Sequence, residues 1–134
     1  MNIDERIAQF LSSEFFAVAG ASVNREKYGN KVLRCYLQHG KRVIPVNPHA
    51  AVVEGLSSVP HVSDLPHTVE ALSIITPPRI TEQIVEEAIS KGIRNIWMQP
   101  GAQSAHAVER CEEAGINVIA DGSCLLVVLG YHES

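Results

Sequence analysis

The fold turns on residues 15–32, FFAVAGASVNREKYGNKV. Phe15 to Gly20 is a short apolar run with no polar face, which is how a strand buried on both sides of a parallel sheet reads. Gly20-Ala21-Ser22 ends it, and a polar loop with Arg25 and Lys27 follows. Val32, Leu33, Tyr36 and Leu37 then recur at helical spacing, predicting a helix from about 29 to 39 that Gly40 stops. Strand, polar loop and helix form the opening of a fold in which helices cover parallel strands.

The chain repeats that alternation in both directions. Arg42 to Val46 is a second strand, halted by Asn47-Pro48. Residues 50–69 contain Gly55, Pro60 and Pro66 and predict a short strand and a turn of helix. Ala71 to Thr76 is a third principal strand ended by Pro77-Pro78, and Ile80, Ile84, Val85, Ala88 and Ile89 mark the next helix. A strand over 95–98, a helix over 103–114 and a strand over 117–120 complete the series, while Ile3, Ile7, Phe10 and Leu11 predict a leading amphipathic helix over 1–13. No linker or repeat divides the 134 residues, so a single domain over 1–134 is expected. With right-handed crossovers the fold class is α/β. The expectation is one doubly wound, Rossmann-like domain with a mostly parallel sheet of five or six strands and helices on both faces.

Composition excludes several functions. The net charge of −4 argues against nucleic acid as a partner. The longest apolar run, Cys124 to Leu129, is far short of the roughly 20 residues of a membrane span. MNIDERIAQF carries charges where a signal peptide is apolar, so a cytoplasmic protein is expected. Cys35, Cys111 and Cys124 form no CxxC pair and the six histidines show no ligand spacing, so no metal is expected. Charge is unevenly spread: between Ser22 and Arg42, six basic residues (Arg25, Lys27, Lys31, Arg34, Lys41, Arg42) face Glu26 alone. Such a block is either a solvated helix face or an anion site, and its place at a strand-to-helix junction favours the second.

Doubly wound folds bind ligands outside the carboxyl ends of their strands. Four such ends stand out: Gly20-Ala21-Ser22, Asn47-Pro48-His49, Thr76-Pro77-Pro78 and Gln99-Pro100-Gly101. Turns are needed there in any α/β protein, yet four similar rims predict a shared cleft. A dinucleotide fingerprint wants Gly at the first, third and sixth loop positions and an acid at the second strand's end. Here stand Gly20, Ser22 and Arg25, with Asn47 in the acid's place, so NAD fails both tests. A longer loop with Ser22, Asn24, Arg25 and Lys27 suits phosphates held outside that tight turn, by the hydroxyl, the helix start and the cations. Gly29 reads as leaving room for ligand against bare backbone.

GAS at 20–22, EKYGNKV at 26–32, VIPVNP at 43–48, ITPP at 75–78, IWMQPGA at 96–102 and INVIAD at 116–121 occur in this order. The set resembles the small stand-alone coenzyme A-binding proteins, relatives of the N-terminal domain of the succinyl-coenzyme A synthetase alpha subunit. The resemblance covers roughly residues 13–128. It implies coenzyme A, or an acyl-coenzyme A, across the strand rims. By that likeness Gly20, Ala21, Ser22 and Lys27 approach phosphate, and Asn47 and Pro48 lie beside the adenosine end. Thr76, Pro77 and Pro78 match the third rim, and Gln99, Pro100 and Gly101 match the pantetheine arm. His49 stands where the family usually has Lys or Asn, and Asp121-Gly122-Ser123-Cys124 is one residue longer than the family's Asp-x-Cys.

The synthetase's phosphohistidine domain and nucleotide-grasping subunit do not fit within 134 residues. Cys124 is the one candidate nucleophile, against the reading of a buried structural cysteine ahead of LLVVL. Glu86-Glu87 and Glu112-Glu113 are neighbours on helices and diverge, as solvated faces do. Three hypotheses follow: a coenzyme A-binding module without chemistry of its own, an acyl-thioester enzyme using Cys124, and a Rossmann-like protein for another nucleotide. The apolar residues of 124–131 read either as a dimer contact or as packing on the chain's own sheet.

Overall fold

In the computed structural model, which describes residues 1–133, successive residues of strand β1 (Phe15–Ala19) enter two different cores. Phe15, Ala17 and Ala19 face one apolar cluster, and Phe16 and Val18 face the other. Side chains of a strand alternate between the faces of its sheet, so a strand covered on both sides reads as a nearly continuous apolar run. The same alternation holds in β5 (Ala71–Ile74), β6 (Asn95–Met98) and β7 (Asn117–Ile119), where Leu72, Ile74, Ile96, Met98 and Val118 oppose Ala71, Trp97 and Ile119.

With β2 (Arg42–Val46) these strands form one parallel sheet of five, in the order β2-β1-β5-β6-β7. Helix α1 (Ile3–Leu11) precedes β1, α2 (Tyr28–Gln38) links β1 to β2, α3 (Pro78–Lys91) links β5 to β6, and α4 (Ala105–Glu113) links β6 to β7. A short α5 (Leu125–Leu129) follows. Helices α1, α2 and α5 cover the face of Phe16 and Trp97, while α3 and α4 cover the face of Leu72 and Ile96. Strand order reverses between β1 and β5, which is the switch point where doubly wound folds take ligands. The sequence-derived architecture is therefore the one found, with five strands.

Local chemistry sets the element ends. Asn2 caps α1 by accepting from the Glu5 amide at 2.8 Å, and the helix ends at Leu11, two residues before the expected limit. Ser104 accepts from the Ala107 amide, so α4 starts at Ala105 rather than at about 103. Residues 50–69 differ most from expectation. They form an antiparallel hairpin of β3 (Val52–Val53) and β4 (Leu56–Ser57) followed by a 3-10 turn at Val62–Asp64.

Two residues tie α1 to the outer edge of the sheet. Arg6 Nη1 donates to the Val118 carbonyl at 3.1 Å, and Asn117 Nδ2 donates to the Arg6 carbonyl at 2.9 Å. Beneath them Phe10 meets Trp97 edge-on at 5.3 Å between ring centres. Both rings are wholly buried, and burying a large apolar side chain of this kind contributes roughly 1.5–3 kcal/mol. No helix is long and apolar enough to cross a membrane among the described residues.

Candidate functional site

The loop from Gly20 to Lys27 is shaped by its own polar atoms. Ser22 Oγ accepts from the Asn24 amide at 3.1 Å, and Asn24 Oδ1 accepts from the Glu26 amide at 3.0 Å. Helix α2 then begins with Lys27 at its cap position, with no side chain on its free amides among the described residues and no acid in its first turn. Helix α3 starts likewise from Pro77, with Pro78 in its first turn. Both starts lie at the carboxyl ends of central strands and leave the positive end of the helix dipole unneutralised by side chains.

Gly20 and Gly29 are demanded by the chain itself. Gly20 has φ +91°, and a Cβ there would stand 2.1 Å from the Ile75 carbonyl oxygen. A Cβ on Gly29 would stand 2.0 Å from the Gly20 carbonyl oxygen. The close approach that Gly29 makes in the structure is thus between helix and strand. It does the packing work of the third glycine in a dinucleotide fingerprint from a later position.

Buried polar residues of α2 hold the loop from below. Asn30 donates to the Ser22 carbonyl at 2.7 Å and to Glu54 at 3.0 Å, and accepts from Arg34 Nε at 2.7 Å. Arg34, only 5% exposed, also donates to the Arg25 carbonyl at 2.6 Å. Sequence reading counted Arg34 as charge and passed over Asn30, because nothing local says that the loop folds down upon them. The basic block is also divided: Lys41 and Arg42 sit at the amino end of β2, where the Arg42 guanidinium lies 3.8 Å from the Phe15 ring centre. Arg25, Lys27, Lys31 and Arg34 are the cations of the loop and of α2 beneath it. Arg25 pairs with Glu54 at 3.4 Å.

A pocket of about 340 Å³ opens beside this loop on the α3 face. Gly20, Pro48 and Thr76 bring to it the ends of β1, β2 and β5, and Ile80 and Ile84 of α3 with Pro60 and His61 complete its walls. Asn47 joins two of those rims. Its Nδ2 donates to the Ala21 carbonyl at 3.0 Å, and its Oδ1 accepts from the amides of His49 and Ala50. These bonds leave it a brace between β1 and β2. His49 is exposed, as are Pro77, Pro78, Pro100 and Gly101.

The fourth rim turns away from the pocket. Gln99 is fully buried, and its Oε1 accepts from the Leu125 amide at 3.0 Å and from the Tyr28 hydroxyl at 3.4 Å. Its Nε2 has no partner among the described residues. The Tyr28 hydroxyl also touches Cys124 Sγ at the start of α5. Burial, then the contact with Cys124, pushes the Tyr28 phenol well above its usual range. Cys35 and Cys111 are buried in their helices, and His106 is exposed. Of the apolar tail, Leu125 is buried and Leu126 and Leu129 pack on the core, leaving Val127 and Val128 exposed.

Comparison with known proteins agrees with this architecture. The ADP-forming acetate–CoA ligase I of Archaeoglobus fulgidus is 26% identical over 119 residues, 81% of this chain and 17% of the ligase. The chain spans less than a fifth of the length of the first curated relatives it matches. Among solved structures, a conserved hypothetical protein from Pyrococcus furiosus is 36% identical with a TM-score of 0.82, over 86% of this chain and 98% of that one. A hypothetical protein from Pyrococcus horikoshii OT3 is 30% identical with a TM-score of 0.87, over 95% and 89% of the two chains. Residues 14–129 match the family model of the CoA binding domain, and the chain belongs to that family.

Proposed function

We propose that this protein binds coenzyme A, or an acyl-coenzyme A, over the carboxyl ends of β2, β1 and β5, and that it does so as a module without chemistry of its own. The observation that carries the reading is the double role of Gly20, which opens the cationic loop and also lines the pocket. A ligand with a ring in that pocket has its phosphates beside the uncapped start of α2.

The residues fit the cofactor. About 340 Å³ is at the small end of ligand pockets, which run from roughly 300 to 1,000 Å³, and suits one ring system rather than the whole molecule. Val46, Pro48, Ile80 and Ile84 offer apolar faces to an adenine, and Thr76 and Gln83 offer polar groups to its edge. Ser22, Arg25, Lys27 and the first amides of α2 would hold phosphates. The pantetheine arm would follow the rims toward Pro100 and Gly101, which are exposed, whereas Gln99 beside them is fully buried. Coenzyme A brings a thiol that carries acyl groups, and the protein supplies binding and orientation.

The absence of chemistry rests on Tyr28. It is the group touching Cys124, and its hydroxyl stays protonated at neutral pH, so it is no base for that thiol. The module is then a carrier, sensor or regulatory subunit, in a cytoplasm that keeps its cysteines reduced. Exposed Val127 and Val128 are the contact a homodimer would use.

Thermal shift and titration calorimetry test the assignment. Coenzyme A stabilises the protein strongly, dephospho-coenzyme A less, and NAD and NADP hardly at all. Equal shifts with NAD would replace the reading by a general nucleotide binder. Incubation with acetyl- or succinyl-coenzyme A leaves the intact mass unchanged, whereas an adduct that vanishes in Cys124→Ser would make the protein an acyl-thioester enzyme.

A further inference from the structure

The β3–β4 hairpin delivers a carboxylate to a loop otherwise rich in cations. Glu54, at its tip, is the only residue other than glycine with a positive φ among those described, at +50°. Side chains seldom adopt that conformation. The hairpin is held in place by Val53, which is buried in the core of Val32 and Leu33, and by Leu56, which packs against that core. The Glu54 side chain is 20% exposed, while that of its partner Arg25 is 55% exposed. The acid is therefore a placed group and not a stray surface charge.

One oxygen, Oε2, receives both contacts: Asn30 Nδ2 at 3.0 Å and Arg25 Nε at 3.4 Å. The Asn30 amide also donates to the Ser22 carbonyl, and Arg25 belongs to the same loop. An amide and a guanidinium that serve a carboxylate oxygen serve a phosphate oxygen equally well. Glu54 thus covers the buried Asn30 amide of α2 and pairs with Arg25 of the loop, two donors that a ligand anion could otherwise use.

We propose that Glu54 is a built-in competitor for the anion site. In the free protein its carboxylate takes the place beside Asn30 and Arg25 that a phosphate oxygen takes in the complex, and ligand entry swings the acid out. This rests on the coenzyme A reading above and adds a regulation of the same site. Were Glu54 to stay, two anions would share one set of donors, which is unfavourable. A singly phosphorylated small molecule gains too little to displace it. A ligand that also fills the pocket at Gly20, Pro48 and Thr76 gains enough, so Glu54 sharpens selection for the complete cofactor.

The rival role is that of a strut that holds the loop in its binding shape, and the two roles predict opposite signs. Glu54→Gln keeps the size and an acceptor for Asn30 while removing the charge. In titration calorimetry with the full chain, E54Q binds coenzyme A about 2- to 5-fold tighter than wild type, the scale expected for one screened charge contact. Its unliganded melting temperature falls, since the pair with Arg25 is lost. Glu54→Ala shifts affinity in the same direction. Equal or weaker binding by both variants, with wild type still binding, overturns the competitor and leaves the coenzyme A reading standing. No uptake by wild type or either variant overturns that reading, and the competitor with it.

Discussion

A Cβ at residue 29 would lie 2.0 Å from the carbonyl oxygen of Gly20, so the first turn of α2 rests directly on the end of β1. The whole loop of Ser22 to Lys27 is strung between these two glycines. Gly29→Ala sets two effects against each other. Helix propensity favours alanine by up to about 1 kcal/mol, while the clash has backbone on the other side and cannot relax cheaply. Overpacking of this kind costs about 1–3 kcal/mol. The clash wins, and urea denaturation of G29A gives a lower midpoint together with weaker coenzyme A binding.

Tyr36 and Ser73 make a second test. Their hydroxyls lie 2.6 Å apart and both residues are fully buried, one on α2 and the other in the middle of β5. Ser73→Ala strands the tyrosine hydroxyl, at about 1–3 kcal/mol. The double variant Tyr36→Phe with Ser73→Ala is more stable than Ser73→Ala alone, because no polar group is then left unpaired. Denaturation of wild type, Tyr36→Phe, Ser73→Ala and the double variant gives the coupling.

Alkaline pH is expected to weaken the fold. Burial, aided by Glu112 and Glu86, pushes the Cys111 thiol up to about 12, and burial with Cys124 pushes Cys35 up to about 11. Unfolded thiols ionise near about 8.5. Above that pH the unfolded chain binds fewer protons than the folded one, so stability is full below about 8.5 and falls as pH rises toward the folded values. The decline reaches about 1–2 kcal/mol per thiol by about pH 10. Denaturation at pH 8 and pH 10 measures it, and Cys111→Ala shows a shallower drop. A flat profile would mean that these thiols are far better solvated than their positions indicate.

Lys27 stands at the cap position of α2 with its side chain exposed. If it faces ligand phosphates, Lys27→Ala weakens coenzyme A binding several-fold at low salt and flattens the dependence on ionic strength. Affinity that is unchanged across a salt series removes this residue from the site.

The sheet was legible in the sequence because buried strands such as FFAVA and ALSI are almost wholly apolar and are followed closely by Gly or Pro. The four rims were legible for the same reason. The hairpin at 52–57 was not, since two-residue strands carry no period and its tip depends on Glu54 adopting a glycine-like φ. Arg34 and Asn30 show the limit at the site. In sequence they are polar residues of an amphipathic helix, and only the descent of the 22–27 loop onto α2 buries them. Gln99 stands at the expected strand end and alternation puts it on the Trp97 face, but the partners that bury it there, Leu125 and Tyr28, are distant in the chain.

The hold of Arg6 and Asn117 between α1 and β7 bears on how the protein is handled. β7 is the last strand of the sheet, and an unguarded edge of that kind recruits strands from other molecules. A truncation beginning at residue 13 strips away Phe10 and frees the Val118 carbonyl, leaving an apolar slot beside an open hydrogen-bonding ladder. Such a shortened protein precipitates in proportion to its concentration, and the leading helix earns its place as a guard against self-association.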